Sequence, residues 1–295
     1  MSDTVLVDSD LAPPGSVVTL LRRNPLLAAA AALGLLLVLL ALFAPLIAPH
    51  PADAGSATHP LDTFLPPSLH HLFGTDPVGR DMFSRVLYGT RISLAVAAVV
   101  IALSIVVGVP LGVAAGALGG VVDTVLMRIT DIFLAFPALL LALAFASVLT
   151  PSVTNATIAI SVTWWPWYAR LARGQAASVA GRPFIASCRA LGLSPARTLL
   201  RHVLPNSLTP IIVQASADVG GVILTAAALS FLGVGAQDPT PEWGLLVNQG
   251  QAYFTTQWWL VTFPGAAILL TALVFNLLGD GLRDVLDPRR VVGRA

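Results

Sequence analysis

Residues 92–118 read ISLAVAAVVIALSIVVGVPLGVAAGAL and contain no charged side chain. A helix needs about 20 mainly apolar residues to cross the hydrocarbon core of a membrane, so this run predicts a membrane-spanning helix. Five further apolar runs long enough to cross a bilayer occur in the chain, at residues 25–47, 124–149, 155–173, 207–234 and 258–278. We therefore predict an all-α, polytopic membrane protein with six transmembrane helices.

The composition agrees with a chain whose main solvent is lipid. Of the 295 residues, 56% are hydrophobic and only 11% are charged, whereas a soluble domain carries roughly 25% charged residues. This balance excludes a single water-soluble globular core. The net charge of +1 also lacks the basic excess typical of nucleic-acid binding, so we expect membrane lipid and no nucleic acid as a partner.

The absence of lysine excludes several kinds of enzyme. All sixteen basic residues are arginine, whereas P-loop nucleotide sites, kinase sites and Schiff-base chemistry depend on a lysine. If ATP drives this protein, another chain must therefore bind it. No serine–histidine–acid motif occurs at a recognisable elbow, and we assign no catalytic residue.

The sequence also argues against a metal site. The single cysteine, Cys188, excludes a cysteine-based zinc or iron–sulfur centre. His70 and His71 are adjacent, so on an extended segment their side chains point apart, while His50 and His59 lie at a distance in a loop. We predict that the chain binds no metal and no other cofactor.

The distribution of arginine predicts the orientation in the membrane. Six arginines lie within residues 170–201 with no acidic residue among them, whereas the connection between the last two spans carries two acidic residues and no basic one. Because cytoplasmic loops carry the excess of basic residues, we expect residues 174–206 and both termini in the cytoplasm. The predicted parts are a cytoplasmic tail (1–20), a first span with an external loop (21–90), a transmembrane domain (91–285, with a cytoplasmic loop at 178–205) and a second cytoplasmic tail (286–295).

The cytoplasmic loop has the pattern of two helices joined by a turn. A short helix over 184–191 is expected to end at Gly192, because glycine favours the position after a helix. Ser194 and Pro195 then supply an N-cap and a first helical residue, and the second helix is expected to continue as far as Pro205. Two readings remain open at this point: a docking surface for a partner protein, or an amphipathic helix on anionic lipid.

An acidic residue, Asp218, lies near the middle of the fifth predicted span. A carboxylate there is costly in lipid, so it must face protein or water. It shares a helical stripe with Gln214, Gly221 and Thr225. We expect this stripe either to line a translocation path or, for Asp218, to form a buried pair with an arginine of a neighbouring helix.

Several motifs together carry a resemblance to a known family. They are RALG at 189–192 with HVLPN at 202–206, FGTD at 73–76 with GRD at 79–81, DIFLAFP at 131–137, LSFLGVG at 229–235 and FNLLGDGLRD at 275–284. The first pair resembles the EAA loop of ABC importer permeases, and the others resemble the C-type membrane subunit of the dipeptide/oligopeptide/nickel permease family. The resemblance spans about residues 20–290, with the motifs in the family's order.

The resemblance implies the fold of a type I ABC importer permease and a transport role in a prokaryotic inner membrane. It implies a second related permease, two ABC ATPase subunits that bind ATP and Mg²⁺, and an extracytoplasmic substrate-binding protein. We expect the external segments 48–90 and 236–256 to dock that protein or to gate the cavity. Di- or oligopeptides are the expected cargo, with nickel, opines or other peptide-like solutes as the alternative. From a different class, a gradient-driven carrier would need no ATPase.

The resemblance also assigns the contact with the ATPase to the cytoplasmic loop. The implied coupling residues are Ala186, Ser187, Cys188, Arg189, Ala190, Leu191, Gly192, Arg197, Arg201 and Pro205. The glutamate that names the EAA loop is absent, because Ala186 occupies its position. The arginines are therefore expected to carry part of the contact.

Overall fold

The long apolar runs form long helices in the structure, a computed structural model that describes residues 24–286. In chain order the α-helices are α1 (Pro25–Ile47), α2 (Met82–Leu118), α3 (Gly120–Leu134), α4 (Ala138–Val148), α5 (Val153–Ala180), α6 (Pro183–Ala190), α7 (Pro195–Thr198), α8 (Leu204–Phe231), α9 (Trp243–Gly250) and α10 (Trp259–Leu286). A π-helical turn, Leu199–Val203, joins α7 to α8, and 3-10 turns occupy Pro51–Ala54, Pro60–Asp62 and Gln251–Tyr253. Within 24–286 there is no β-strand, only an isolated bridge between Thr75 and Asp81.

The all-α prediction is thus confirmed. The tail predicted at 1–20, and all but Leu286 of the tail predicted at 286–295, lie outside the described residues.

By their length and apolar composition, fewer helices qualify as membrane spans than the six that the sequence predicts. Over the described residues, four helices are long and apolar enough to cross a membrane: α1, α2, the continuous helix Pro195–Phe231 and α10. The bent pair α3 and α4 makes a fifth if it counts as one span. The remaining predicted span lies in α5, whose Ile160, Tyr168 and Ala169 are at most 1% exposed. Because α5 packs among other helices, it does not need a face as apolar as lipid requires.

The third predicted span is broken. The sequence predicts one helix over 124–149, whereas the chain bends by 83° between α3 and α4. Pro137 explains the break, since proline has no N–H to donate within a helix and disfavours helical backbone at the preceding residue.

Three glycines bring α2 and α5 into close contact. Gly108, Gly112 and Gly116 recur every fourth residue, so they lie along one face of α2. A β-carbon on Gly112 would lie 2.1 Å from the carbonyl oxygen of Ala169, and one on Gly116 would lie 2.2 Å from that of Arg173. Only glycine allows the two backbones to approach so closely, as in other membrane helix pairs with small residues at the contact.

The remaining long helices pack in the same way. Gly220 of α8 faces the backbone of Ala272 in α10, where a β-carbon would approach to 2.9 Å, and Gly34 of α1 faces Leu278. Away from this contact, Leu42 of α1 is 66% exposed. Helix α1 therefore contacts the bundle along α10 and α2 and presents leucines to lipid.

Candidate functional site

The loop that the sequence predicts to be cytoplasmic contains two helices, α6 and α7. Helix α6 ends before Gly192, whose φ of +78° is the left-handed conformation that glycine adopts without strain. The side chain of Ser194 accepts a hydrogen bond from the backbone N–H of Arg197, so Ser194 is the N-cap of α7. We call residues 183–205 the cytoplasmic hairpin, after the side of the membrane that the arginine distribution predicts for them.

One prediction for the cytoplasmic hairpin is wrong: its second helix does not end at Pro205. The chain runs as one helical unit from Pro195 to Phe231. The π-helical turn Leu199–Val203 immediately precedes the proline. A proline ring and its missing N–H would interrupt a regular α-helix, and the wider π-helical turn accommodates both.

The cytoplasmic hairpin is anchored on one side and open on the other. Ile185 and Val203 are at most 1% exposed, whereas Leu191 is 79% exposed and Leu200 is 64% exposed. Of the predicted coupling residues, the exposed ones are Ala186, Ser187, Ala190, Leu191, Gly192, Arg197, Arg201 and Pro205, Cys188 is half-buried, and Arg189 lies on α6. Neither Arg197 nor Arg201 forms an ion pair with another described residue. The open side therefore offers apolar side chains beside unneutralised guanidinium groups.

Two ion pairs tie α3 to α5 near the cytoplasmic hairpin. Arg173 donates to both carboxylate oxygens of Asp123, at 2.9 and 2.7 Å, and Arg170 donates to Asp131 at 2.5 Å. Arg128 lies three residues before Asp131 on the same helix, a spacing that allows an ion pair. Asp131 instead pairs with Arg170, because α5 packs against α3.

The polar stripe on α8 is present as a surface of partly accessible groups. Gln214 is exposed, while Asp218, Gly221 and Thr225 are half-buried. The amide nitrogen of Gln214 donates to Asp218 at 2.8 Å, and Trp164 of α5 lies opposite Gly221. Among the described residues Asp218 pairs with no arginine, so the alternative of a buried ion pair has no counterpart in the structure.

A network of charges lies at the other end of the molecule. Arg80 donates to Asp76 at 2.7 Å and to Asp238 at 3.0 Å, which joins the segment before α2 to the segment before α9. Burial opposes ionisation of Asp238, but the hydrogen bonds from Arg80 and Gln249 hold its pKa below the usual value. Arg85 is completely buried beside the same carboxylates. These ion pairs join segments that are far apart in the sequence, so they could not be predicted from it.

Two buried tryptophans reinforce this junction. The indole N–H of Trp243 donates to the carbonyl of Val86 at 2.9 Å, and that of Trp259 donates to Thr75 at 3.2 Å. Glu242 caps α9 by accepting from the backbone of Leu245, and its burial raises its pKa. Residues 48–90 and 236–256 therefore form one connected surface.

One contact on this surface is predicted to depend on pH. Asp53 accepts a hydrogen bond from His59 at 2.8 Å. This bond and the attraction between the Asp53 carboxylate and the protonated imidazole raise the pKa of His59 above 6.5. A raised pKa in the folded state means that the contact contributes fully below about pH 6.5 and is lost as pH rises through the raised value. The difference in Tm between the wild type and His59→Gln should therefore shrink from about pH 5.5 to about pH 8.5. A difference that grows with pH would contradict this assignment.

Comparison with known proteins decides the family. Residues 108–292 match the family model described as "Binding-protein-dependent transport system inner membrane component". The chain belongs to this family. Residues 16–67 also match the "N-terminal TM domain of oligopeptide transport permease C". The resemblance inferred from the motifs is thereby confirmed, and this inner membrane component is a transport subunit of the bacterial inner membrane and not an enzyme.

Relatives of this inner membrane component match over nearly the whole chain. It is 47% identical to the probable D,D-dipeptide transport system permease protein DdpC of Escherichia coli K12, over 92% of this chain and 91% of that protein. It is 43% identical to the dipeptide transport system permease protein DppC of Alkalihalophilus pseudofirmus, over 91% and 88%. The glutathione transport system permease protein GsiD of Shigella flexneri is 47% identical over 91% and 88%.

The fold also matches solved structures. A chain from an inward-facing conformation of the MetNI methionine ABC transporter superposes with a TM-score of 0.55 at 23% identity, over 72% of this chain and 98% of that chain. At that identity the match supports the fold alone. The predicted fold of a type I ABC importer permease is thus confirmed.

Proposed function

We propose that this inner membrane component is one of two related permease subunits of an ATP-driven importer and forms half of a channel for di- or oligopeptides. Two ATPase subunits would bind ATP and Mg²⁺, and an extracytoplasmic binding protein would deliver the cargo. The observation that carries the proposal is the identity of 43–47% with permeases named for dipeptides, D,D-dipeptides and glutathione. The identity extends over about nine-tenths of both chains, so it includes the cytoplasmic hairpin and the external segments.

The cytoplasmic hairpin is the proposed contact with the ATPases. It combines exposed leucines with arginines that have no acidic partner among the described residues, and guanidinium groups form strong hydrogen bonds with carboxylates and carbonyls. These arginines can replace the contact that the missing glutamate at Ala186 makes in relatives of the EAA type. Both termini and residues 174–206 would then lie in the cytoplasm, as the arginine distribution indicates.

The continuous backbone from the cytoplasmic hairpin into α8 suggests how a movement at the ATPase contact is transmitted into the membrane. The cytoplasmic hairpin passes into α8 without a break, and α8 carries the stripe with Asp218. Thr198 and Asp218 are separated by about 30 Å along this helix, at about 1.5 Å per residue. A displacement of the cytoplasmic hairpin by the closing ATPases would therefore move the stripe as part of the same rigid element.

The stripe on α8 is the proposed wall of the translocation path. Its accessible Gln214 and half-buried Asp218 offer hydrogen bonds and a negative charge within the membrane region. A peptide carries an ammonium group that this carboxylate could meet. If these polar side chains faced lipid instead of a path, they would cost free energy.

The path assignment predicts a specific defect. Asp218→Asn keeps the shape of the side chain and its contact with Gln214 but removes the charge. A hydrogen bond to a charged group contributes roughly 1.5–3 kcal/mol, so ATP-driven peptide uptake should fall about tenfold or more. Assembly with the partner subunits should remain intact. The matched control is Asp280→Asn at an exposed position of α10, and normal uptake by Asp218→Asn would remove the residue from the path.

The cargo is tested by uptake in the native host. Deletion of this chain should abolish energy-dependent accumulation of a radiolabelled dipeptide, and expression of the intact chain should restore it. Nickel accumulation, measured in the same cells, should not change. Unchanged dipeptide uptake with a loss of nickel or opine uptake would establish the alternative cargo instead.

A further inference from the structure

Two histidines and an aspartate that are separated in the sequence meet at the start of α2. The ligand atoms of His50, His71 and Asp81 all lie within 4.8 Å of one another. The Nδ1 atom of His71 is 3.0 Å from Oδ1 of Asp81, and the Nδ1 atom of His50 is 3.9 Å from Oδ2. His50 and His71 are 21 positions apart in the sequence, and they meet because the segment between α1 and α2 folds back on itself.

Backbone contacts hold each of the three residues in place. The N–H of His50 donates to Ser84 at 3.1 Å, that of His71 to Ser68 at 3.2 Å, and that of Asp81 to Asp53 at 2.8 Å. Asp81 also caps α2, since its Oδ2 accepts from the backbone of Ser84 at 2.8 Å. The cluster is therefore fixed by the surrounding fold.

One atom of the cluster lacks the partner that a buried polar group needs. Nδ1 of His50 is shielded from solvent and has no hydrogen-bond partner, which costs free energy in a folded protein. Asp81 is 1% exposed and His71 15% exposed, whereas His50 is 43% exposed. The cluster is thus buried on the side of Asp81 and His71 and accessible to solvent on the side of His50.

We propose that His50, His71 and Asp81 bind one divalent transition-metal ion of the Zn²⁺ type. Two imidazole nitrogens and one carboxylate oxygen are a donor set that zinc prefers, whereas Ca²⁺ and Mg²⁺ favour oxygen ligands. Bonds of about 2.0–2.2 Å place tetrahedral ligand atoms about 3.4 Å apart. Nδ1 of His71 lies 3.0 Å from Oδ1 of Asp81 and Nδ1 of His50 lies 3.9 Å from Oδ2, on either side of this value. The ion supplies the partner that Nδ1 of His50 lacks and leaves one coordination position open.

The proposed ion would fasten the segment after α1 to the first turn of α2. Its ligands come from the segment that follows α1, from the loop before α2 and from the N-cap of α2. The neighbouring Asp53 also contacts His59 and the backbone of Asp81. The role is structural and independent of the cargo, so the failure of either proposal leaves the other unaffected.

Metal content tests the site directly. The chain is purified without a histidine tag, saturated with Zn²⁺, freed of excess metal and analysed for bound zinc. We expect about one zinc per chain and, for His50→Gln and His71→Ala, an affinity lower by about tenfold or more. His70→Ala is the matched control, because His70 is adjacent in sequence but outside the cluster, and it should retain the ion.

Two further measurements make the outcome decisive. The bound ion should raise the Tm of the wild type and of His70→Ala but not of the two cluster variants, and an excess of Mg²⁺ should not displace it. Gel filtration of each variant establishes that the chain is folded. The proposal is overturned if the wild type retains no zinc, or if His50→Gln and His71→Ala both retain it with unchanged affinity.

Discussion

Gly112→Leu is expected to prevent the chain from reaching its folded state in the membrane. A β-carbon at this position would lie 2.1 Å from the carbonyl oxygen of Ala169, so α2 and α5 must separate. Overpacking a close contact costs typically 1–3 kcal/mol and sometimes more, and here the whole α2–α5 contact is affected. With a total stability on the order of 5–15 kcal/mol, we expect little monodisperse protein after extraction.

Gly174→Leu is the matched control for this prediction. Gly174 also lies within a helix, but a β-carbon there would meet no atom within 4 Å. The measurement compares expression level and the monodisperse fraction in gel filtration for both variants. If Gly112→Leu folded as well as Gly174→Leu, the close packing of α2 on α5 would be incorrect.

Leu191→Arg is expected to separate the chain from its ATPase subunits without unfolding it. Leu191 directly follows α6 and is 79% exposed, so the substitution removes little internal packing. In the proposed complex the side chain lies in an interface, where a further cation beside the existing arginines is repelled and must be desolvated. The amount of ATPase recovered with the chain should fall about tenfold or more, together with ATP-driven uptake.

The same substitution at Leu69 provides the control. Leu69 is 95% exposed and lies in the segment before α2, at the opposite end of the molecule. Leu69→Arg should retain the ATPase subunits at the level of the wild type. Equal recovery of ATPase with Leu191→Arg would instead favour the reading of the cytoplasmic hairpin as a helix on the lipid surface.

Features that depend on neighbouring residues were readable from the sequence. The run at 92–118 lies within α2, and the first predicted span coincides with α1. Gly192 and Ser194 end and begin helices as expected, because caps are determined within a few residues. Pro137 is an equally local signal for a helix break. The bend was not predicted, because the apolar run continues on both sides of the proline.

Features that depend on packing were not readable in the same way. The partner of Asp131 is Arg170 because α5 lies against α3, and the i, i+3 rule cannot include that contact. The close approach at Gly112 and the meeting of His50 with His71 likewise require knowledge of which segments touch. Packing also explains why length and apolar composition leave α5 out of the spans, since a helix that is packed against protein can be more polar than one in lipid.

The central claim is that the chain works as one subunit of an ATP-driven complex. The most direct measurement is mild-detergent purification of the tagged chain from its native membrane, with identification of every co-purifying protein by mass spectrometry. The account predicts recovery of a second, related permease and of ABC ATPase subunits in fixed ratio. Recovery of the chain alone, from membranes that still transport the cargo, would contradict it and indicate a gradient-driven carrier.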